Sequence, residues 1–513
     1  MLKKKDLKKE TGITLVALVI TILILLLLSM ATIQFAMNNF GGAERAVTNY
    51  DKAQADEEIE TAKVGASINQ EGKINKEQLI KELHELNIKD EDITDNGNEL
   101  QVKYKGNTYD IPYNVKLISV KVGLYDYINE EEVETVELKL LETTPLNEST
   151  VTMPEGYVLY SKHDSSITNP TVVIENGVAD KSEYTLNVCK ENKDGEILLK
   201  NSTGLRNIEK KLDDKYALDN DIDLKSANWT PLGNVDEKIY FSGSLNGNGY
   251  TISNLTSDFA SNRYIGLIQV NSGTVKNLNI TSATVRAAST VGIICGLNES
   301  GAIIENCHVS GSVTSTSTNM STAGAAGGIA GSNYGTISKC SAQGIYNGYK
   351  WTGGITGKNF GSISESYFIG GVNSNIPTSE IREWFSNVTT NMYQNIGGIA
   401  GGNTGSIENS YAILKNLIKG ATVVGGICGW CKGGSLNNIY IANTCNIIGL
   451  KEEETSEDVG YISGNVYPTY SNLYAYNTTS TGLTSLPSGL SSSIWKMNGA
   501  TYSSCPDLIN NPR

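Results

Sequence analysis

Cys428 and Cys431 enclose Gly429-Trp430 in a CxxC spacing, which can supply half of a tetrahedral zinc site or a dithiol redox pair. A zinc site needs a second ligand pair and redox chemistry a neighbouring βαβ pattern, and neither accompanies it, so the pair reads as structural. Asp219, Asp221 and Asp223 alternate, which on a strand sets three carboxylates on one side, an arrangement fit for Ca²⁺. They sit inside a longer strand-like motif, and that context favours a structural role. The three histidines are His84, His163 and His308. They leave little material for a histidine triad, and His163, among polar neighbours, reads as a surface residue. No HExxH, nucleophile elbow or P-loop is present. The sequence therefore implies no cofactor, no metal and no enzyme. What remains for chemistry is contact: Trp384 and Phe385, in the longest insertion of the chain, are candidate ligand-contact residues, because aromatic side chains dominate recognition surfaces. The alternative is a short helix that packs both rings onto the flank of the repeat array.

Bulk properties bound the partners. The 513 residues are 39% hydrophobic, enough for several domains, and 52 glycines with 26 tyrosines against 7 phenylalanines fit a β-rich molecule with half-exposed rings. A net charge of -14 argues against nucleic acid, whose affinity comes from clustered cations. The eight cysteines are scattered, with no dense disulfide framework.

Residues 13–40 carry no charge and are long enough to cross a bilayer, and Lys3, Lys4, Lys5, Lys8 and Lys9 precede them. This predicts a single-pass anchor with the N-terminus inside and the bulk of the chain outside. The boundary Lys8-Lys9-Glu10-Thr11-Gly12, followed by Ile13-Thr14-Leu15-Val16-Ala17-Leu18, resembles the processing site of type IV prepilins and pseudopilins. The resemblance implies cleavage between Gly12 and Ile13 by a prepilin-type peptidase and contact with other pilin-like subunits. It departs from the family at Ala17, where a glutamate usually serves filament assembly. A simple uncleaved anchor is the alternative. Apolar residues Ala53, Ile59, Ala62 and Ala66 continue a helical pattern, a second helix is expected at 76–86, and a hairpin is expected around Gly106-Asn107.

The architecture is decided by repeats. A Gly-hydrophobic-x-Gly element recurs, as Val291-Gly292-Ile293-Ile294-Cys295-Gly296 and as Gly-Gly-Ile-x-Gly at 327–331, 353–357, 397–401 and 425–429, with weaker copies near Gly266 and Gly460. Each is followed by a second half such as Tyr334-Gly335-Thr336-Ile337-Ser338-Lys339-Cys340 or Thr404-Gly405-Ser406-Ile407-Glu408-Asn409-Ser410. One unit cannot bury its own apolar face, but stacking it on a copy about 4.8 Å away can. Stacking predicts three columns: Ile293, Ile329, Ile355, Ile399 and Ile427; the small residues Cys295, Ala330, Thr356, Ala400 and Cys428; and Leu278, Cys307, Cys340, Ser366, Ser410 and Ile439. Cys307 and Cys340, on adjacent coils, are the pair able to bond. The column Asn277, Asn306, Lys339, Glu365, Asn409 and Asn438 is expected to hydrogen-bond from coil to coil.

These units resemble the GLUG motif of bacterial surface proteins and adhesin-like β-solenoids. Tyr216-Ala217-Leu218-Asp219-Asn220-Asp221-Ile222-Asp223-Leu224 and Phe241-Ser242-Gly243-Ser244-Leu245-Asn246-Gly247-Asn248-Gly249 look like the coils that open such arrays. The expected fold is mainly β, a parallel β-helix of GLUG-type coils preceded by a transmembrane pilin-like helix and a small α+β head. The expected order is a basic leader (1–12), an apolar helix (13–50), the head (51–115), a β-rich connector (116–199), the solenoid (200–480) and a C-terminal cap (481–513). Three functions are open to such a chain: a surface adhesin or recognition protein for a glycan or protein ligand, a membrane-anchored spacer, and a carbohydrate-active β-helix enzyme.

Overall fold

The computed structural model describes residues 52–508 except 60, 64–65, 67–73, 98, 114–117, 141–142, 176–177, 260–262, 317–323, 375–393, 416–417, 421–422, 444–446, 450–458, 461–462, 478–491, 494 and 499–504. The apolar run 13–40, the Gly12-Ile13 boundary, Trp384 and Phe385 lie outside the described residues. Among the described residues, no helix is long and apolar enough to cross a membrane. The chain divides into two compact units. One holds the described residues up to Lys121 with Glu137–Pro145 and Thr171–Tyr184; the other holds Val122–Val136, Leu146–Pro170 and the chain from Thr185 onward. Residues 116–199 are thus shared between them.

In the first unit, helix α1 (Lys76–Glu85) starts where the Asn75 side chain accepts a hydrogen bond from the Gln78 amide at 2.9 Å, the usual N-cap arrangement. It buries Leu79 and Leu83 against a three-stranded antiparallel sheet, β1 (Ile93–Asp95), β2 (Glu99–Tyr104) and β3 (Asn107–Pro112). The hairpin turn is Lys105-Gly106, one residue earlier than the sequence pattern placed it. Tyr104 pairs with Asn107, and both turn residues adopt positive φ, 45° and 78°. The preceding helical stretch also differs by a step. Ala55, Ile59, Ala62 and Ala66 are its buried residues, while Ala53 is exposed; the observed spacing of four, three and four is the cleaner helical stripe.

The second unit is built around a parallel β-solenoid. Short strands beginning with Tyr264–Ile265 and ending with Val459–Gly460 stack into a seven-stranded parallel sheet, so the array has about seven turns. The remaining strands of each turn stack in register within a set of 24 strands that runs from Ile197–Leu199 to Ser463–Asn477. One turn reads Ala325–Ala326, Ala330–Asn333, Thr336–Ser338 and Ser341–Gly348; the next reads Trp351–Gly353, Thr356–Asn359, Ser362–Ser364 and Tyr367–Ser374. Each strand pairs with its equivalent one turn away. The apolar interior is continuous from Ile197 to Ile441. At the far end, Trp495–Asn498 pairs antiparallel with Cys505–Leu508.

The glycine of the recurring element that closes each Gly-Ile-x-Gly has a steric reason. A side chain at Gly401 would lie 2.5 Å from the Thr352 amide nitrogen and 2.7 Å from the Asn395 carbonyl, because the turn doubles back onto the short strands there. Gly331, Gly357 and Gly429 meet the same crowding. The isoleucine column holds with one correction. Cys295 pairs with Ala330, so Ile294 and not Ile293 lies over Ile329. Backbone bonds agree: Ile294 N donates to Ile329 O at 3.1 Å, and Ile293 N to Gly328 O. At the last turn Gly425 faces Gly460, although the repeat spacing sets Gly426 against it.

Candidate recognition surface and its supporting ladders

Three ladders of polar side chains hold the coils at fixed spacing. The column Asn277, Asn306, Lys339, Glu365, Asn409 and Asn438 occupies a left-handed corner, with φ between 46° and 54° at every position. Asparagine tolerates that backbone better than other side chains, so the corner selects the residue type as much as any side-chain bond does. The bonds form as well: Asn306 Nδ2 donates to Asn277 Oδ1 and Asn438 Nδ2 to Asn409 Oδ1, both at 2.8 Å. Where lysine stands, Lys339 Nζ pairs with Glu305 Oε1 at 2.9 Å.

The next column explains the buried cysteines. Cys307 Sγ donates to Glu305 O at 3.2 Å and Cys340 Sγ to Ser338 O at 3.1 Å. Ser366 Oγ and Ser410 Oγ make the same bond to the carbonyl two residues back. At these four turns the position holds a small side chain whose S–H or O–H bonds to the backbone, while Leu278 and Ile439 fill it with apolar groups at the two ends. Cys307 and Cys340 are both buried thiols, each donating to backbone, and no disulfide joins them.

A third ladder escaped the sequence reading. Asn271, Asn298, Asn333, Asn359 and Asn403 are all within the core, at most 1% exposed. Each Nδ2 donates to the Oδ1 of the next: 271 to 298, 298 to 333, 333 to 359 and 359 to 403, every step 2.8 Å. The run ends where Cys431 takes the asparagine position and Asn403 Nδ2 lies 3.5 Å from its sulfur. The CxxC thus belongs to two structural columns. The Cys428 thiol is buried and donates to Trp430 O at 3.1 Å, and burial pushes its ionisation up.

The outside of the same turns carries aromatic side chains. Tyr334 and Phe360 stand at one corner of adjacent turns, 47% and 43% exposed, with rings stacked at 4.5 Å and 10°. On another face, Lys358, Gly402 and Trp430 follow each other from turn to turn in one column. Gly402 leaves a gap that the Trp351 ring fills; a Cβ there would lie 2.4 Å from Trp351 Cζ3. Trp351 meets Trp430 edge-on at 5.7 Å, and Lys358 Nζ lies 5.6 Å from the Trp351 ring centre. Sequence reasoning passed over both tryptophans because each adjoins a repeat motif. The available signal was Gly402, a glycine where the other turns carry Leu297, Ser332 and Lys358.

The sequence-nominated acids are occupied. Asp219 pairs with Lys190 at 3.5 Å, Asp221 accepts from the Thr251 amide, and Asp223 accepts from Asn254 Nδ2 and the Lys225 amide. Among the described residues, no cluster of three His, Cys, Asp or Glu side chains has the arrangement of a metal site.

His163 is not the surface residue its neighbours in sequence implied. It is 11% exposed and clamped between Asp214 Oδ2 at 2.7 Å from Nδ1 and Glu191 Oε1 at 2.6 Å from Nε2. The bond to Asp214, opposed by burial, holds the imidazolium above its ordinary range. Burial alone would push the Asp214 carboxyl up, but the His163 bond and the Lys215 amide outweigh it and hold it low. Both ring nitrogens are engaged, Nδ1 with Asp214 and Nε2 with Glu191, so the two acids clamp the ring in place. The raised histidine contributes stability that is complete below its unfolded value of 6.5 and is lost as pH rises through the folded value. The depressed aspartate contributes above 3.8 and loses its share as pH falls. His163→Gln is therefore expected to cost about 2 kcal/mol at pH 5.5, in the range for hydrogen bonds to a charged group, and clearly less at pH 9. Urea unfolding at the two pH values checks this. His308 meets Ser341 Oγ at 2.8 Å and His84 meets Asp90 at 2.8 Å.

Known proteins bear on this molecule as follows. Residues 392–415 match the model for the GLUG motif, which covers one closing Gly397-Gly398-Ile399-Ala400-Gly401 element and the strand after it. A segment covering 32% of the chain is 30% identical over 174 residues to halomucin of Haloquadratum walsbyi, and this chain spans only 2% of that protein's length. Among solved structures, a Bacteroides ovatus protein to which immunoglobulin A1 protease activity has been ascribed aligns at TM-score 0.43 and 21% identity, over 63% of this chain and 95% of the other. A structure named IgA1 protease aligns at TM-score 0.34 and 13% identity, over 74% of this chain and 28% of the other. The chain carries the GLUG motif on a parallel β-solenoid.

Proposed function

We propose that this chain is a cell-surface recognition protein whose solenoid binds an extracellular glycan or protein and does not catalyse. The observation that carries the reading is the aromatic flank. The stacked, exposed Tyr334 and Phe360 stand on short two-residue corners between stacked strands, and Trp351 and Trp430, on a further face, stand on the strands themselves. Rings fixed in this way lose little freedom on binding, which favours affinity. The acids considered for chemistry already have structural partners, which is consistent with a binder. Similarity over part of the chain to a protein named halomucin is in keeping with life at a cell surface.

In this reading the apolar run 13–40 holds the protein in the membrane as a single pass with the solenoid outside. A prepilin-type peptidase cuts between Gly12 and Ile13. Ala17, in place of the assembly glutamate, favours display, alone or beside other pilin-like subunits, over growth of a filament. The test is the full-length protein, purified in detergent and applied to an array of glycans and to intact cells. Selective retention on a subset of glycans or one cell type supports the reading. Uniform absence of binding together with release of sugar from a polysaccharide would replace it with the enzyme. N-terminal sequencing of protein recovered from cells checks processing, with Ile13 as the expected first residue.

A further inference from the structure

We infer that the face formed by Trp351, Lys358, Gly402 and Trp430 is a binding site for a saccharide bearing a carboxylate, of the uronic-acid type. The inference rests on the recognition reading above and names the ligand class for one face of the array.

Lys358 is half-buried beside the Trp351 ring. Among the described residues it has no carboxylate partner. The charge that acts on it there is another cation, Lys350, and burial followed by that repulsion holds the ammonium below its ordinary range. The protein as a whole has a net charge of -14, and two lysines on the turns have an acid at hand: Lys339 has Glu305 and Lys276 has Glu196. A cation drawn partly out of water without a counter-ion is costly, and an incoming anion relieves that cost.

The tryptophans define what kind of anion fits. Trp351 and Trp430 meet edge to face, so the contact takes up a face of one ring only. Gly402 makes room for the Trp351 ring, which any side chain there would push away. A flat indole offers a match to the C–H face of a pyranose ring, and Lys358 beside it offers a match to a carboxylate on that ring. A neutral sugar would use the rings and leave the cation unsatisfied. An inorganic anion would use the cation and leave the rings bare.

Titration of the full chain in detergent with oligogalacturonate, followed by tryptophan fluorescence, tests this. The expected result is saturable quenching, at least tenfold tighter for oligogalacturonate than for the neutral oligogalactose of equal length. Lys358→Gln is expected to weaken the acidic ligand at least tenfold and the neutral one little. Trp430→Ala weakens both, and unchanged far-UV circular dichroism shows that each variant is folded. Equal affinity for the two ligands, or acidic binding untouched by Lys358→Gln, overturns the site. Cell or glycan-array binding that survives in Lys358→Gln while oligogalacturonate fails to bind removes this inference and leaves the recognition reading standing.

Discussion

Gly401→Ala is expected to destroy the cooperative unfolding of the turns around it, at a cost of about 3 kcal/mol or more. Overpacking a core costs about 1–3 kcal/mol when side chains can shift out of the way. Here the atoms that a Cβ would strike are the Thr352 amide nitrogen at 2.5 Å, with the Asn395 and Gly357 carbonyls at 2.7 Å, all backbone. Relief would need the short strands Trp351–Gly353 and Asn395–Gly397 to move away from the turn, and they pair with each other and with Val423–Gly425. Hydrogen exchange reads the result locally. Amides from Ile355 to Ser374 and from Gln394 to Asn403 are expected to lose protection in the variant, whereas those of the first unit, Leu79 to Tyr104, keep theirs. Gly433→Ala is the contrasting substitution, since no atom lies within 4 Å of a Cβ there; its positive φ of 75° leaves only a backbone cost of about 1 kcal/mol.

The second large effect belongs to the buried asparagine ladder. Asn333→Leu keeps the volume but removes the acceptor for Asn298 Nδ2 and the donor to Asn359 Oδ1. Both abandoned groups stay in the core, beyond reach of water, and each unsatisfied polar group costs about 1–3 kcal/mol. A total near 3 kcal/mol is expected, measured as a fall in the urea midpoint. An outer asparagine at a half-buried corner, Asn306, breaks its bond at the edge of solvent, so Asn306→Asp should cost well under half as much. A ladder of this kind does more than add bonds. Five amides in a row, each both donor and acceptor, reward one register, because slipping a turn by one residue would leave every rung unpaired.

Much of the solenoid was legible because stacking makes one turn resemble the next, and the glycines mark the same steric crowding each time. The error of one residue at Ile293 has a definite source. Val291-Gly292-Ile293-Ile294-Cys295-Gly296 sets its first glycine one place away from where Gly328 stands, and backbone pairing of Cys295 with Ala330 overrides that match. The outer asparagines were visible as a column, but the left-handed backbone that selects them was not. The inner asparagines were hidden in plain sight: Asn333, Asn359 and Asn403 each stand two residues before a glycine, in stretches that read as polar turns, and polarity argued for the outside. Only the fold shows that a self-satisfying row of amides can be buried at no great cost. His163 was misread for a different reason. Its partners lie 28 and 51 residues along the chain, and no local pattern announces them. The tryptophan and lysine face depends on what the neighbouring turn lacks, a side chain at Gly402, which single-unit reading cannot weigh.

All of these expectations depend on successive turns being parallel and in register. Disulfide trapping measures that directly. Thr336 and Ser362 face each other on adjacent turns, with their hydroxyls 3.3 Å apart, and stacked strands put paired Cα atoms about 4.8 Å from one another, inside the range a disulfide spans. The chain carrying Thr336→Cys and Ser362→Cys is expected to form an internal disulfide in near-quantitative yield under mild oxidation, with Thr336→Cys and Ser364→Cys trapping far less. Equal trapping in the two pairs, or none in the first, would contradict the stacked solenoid.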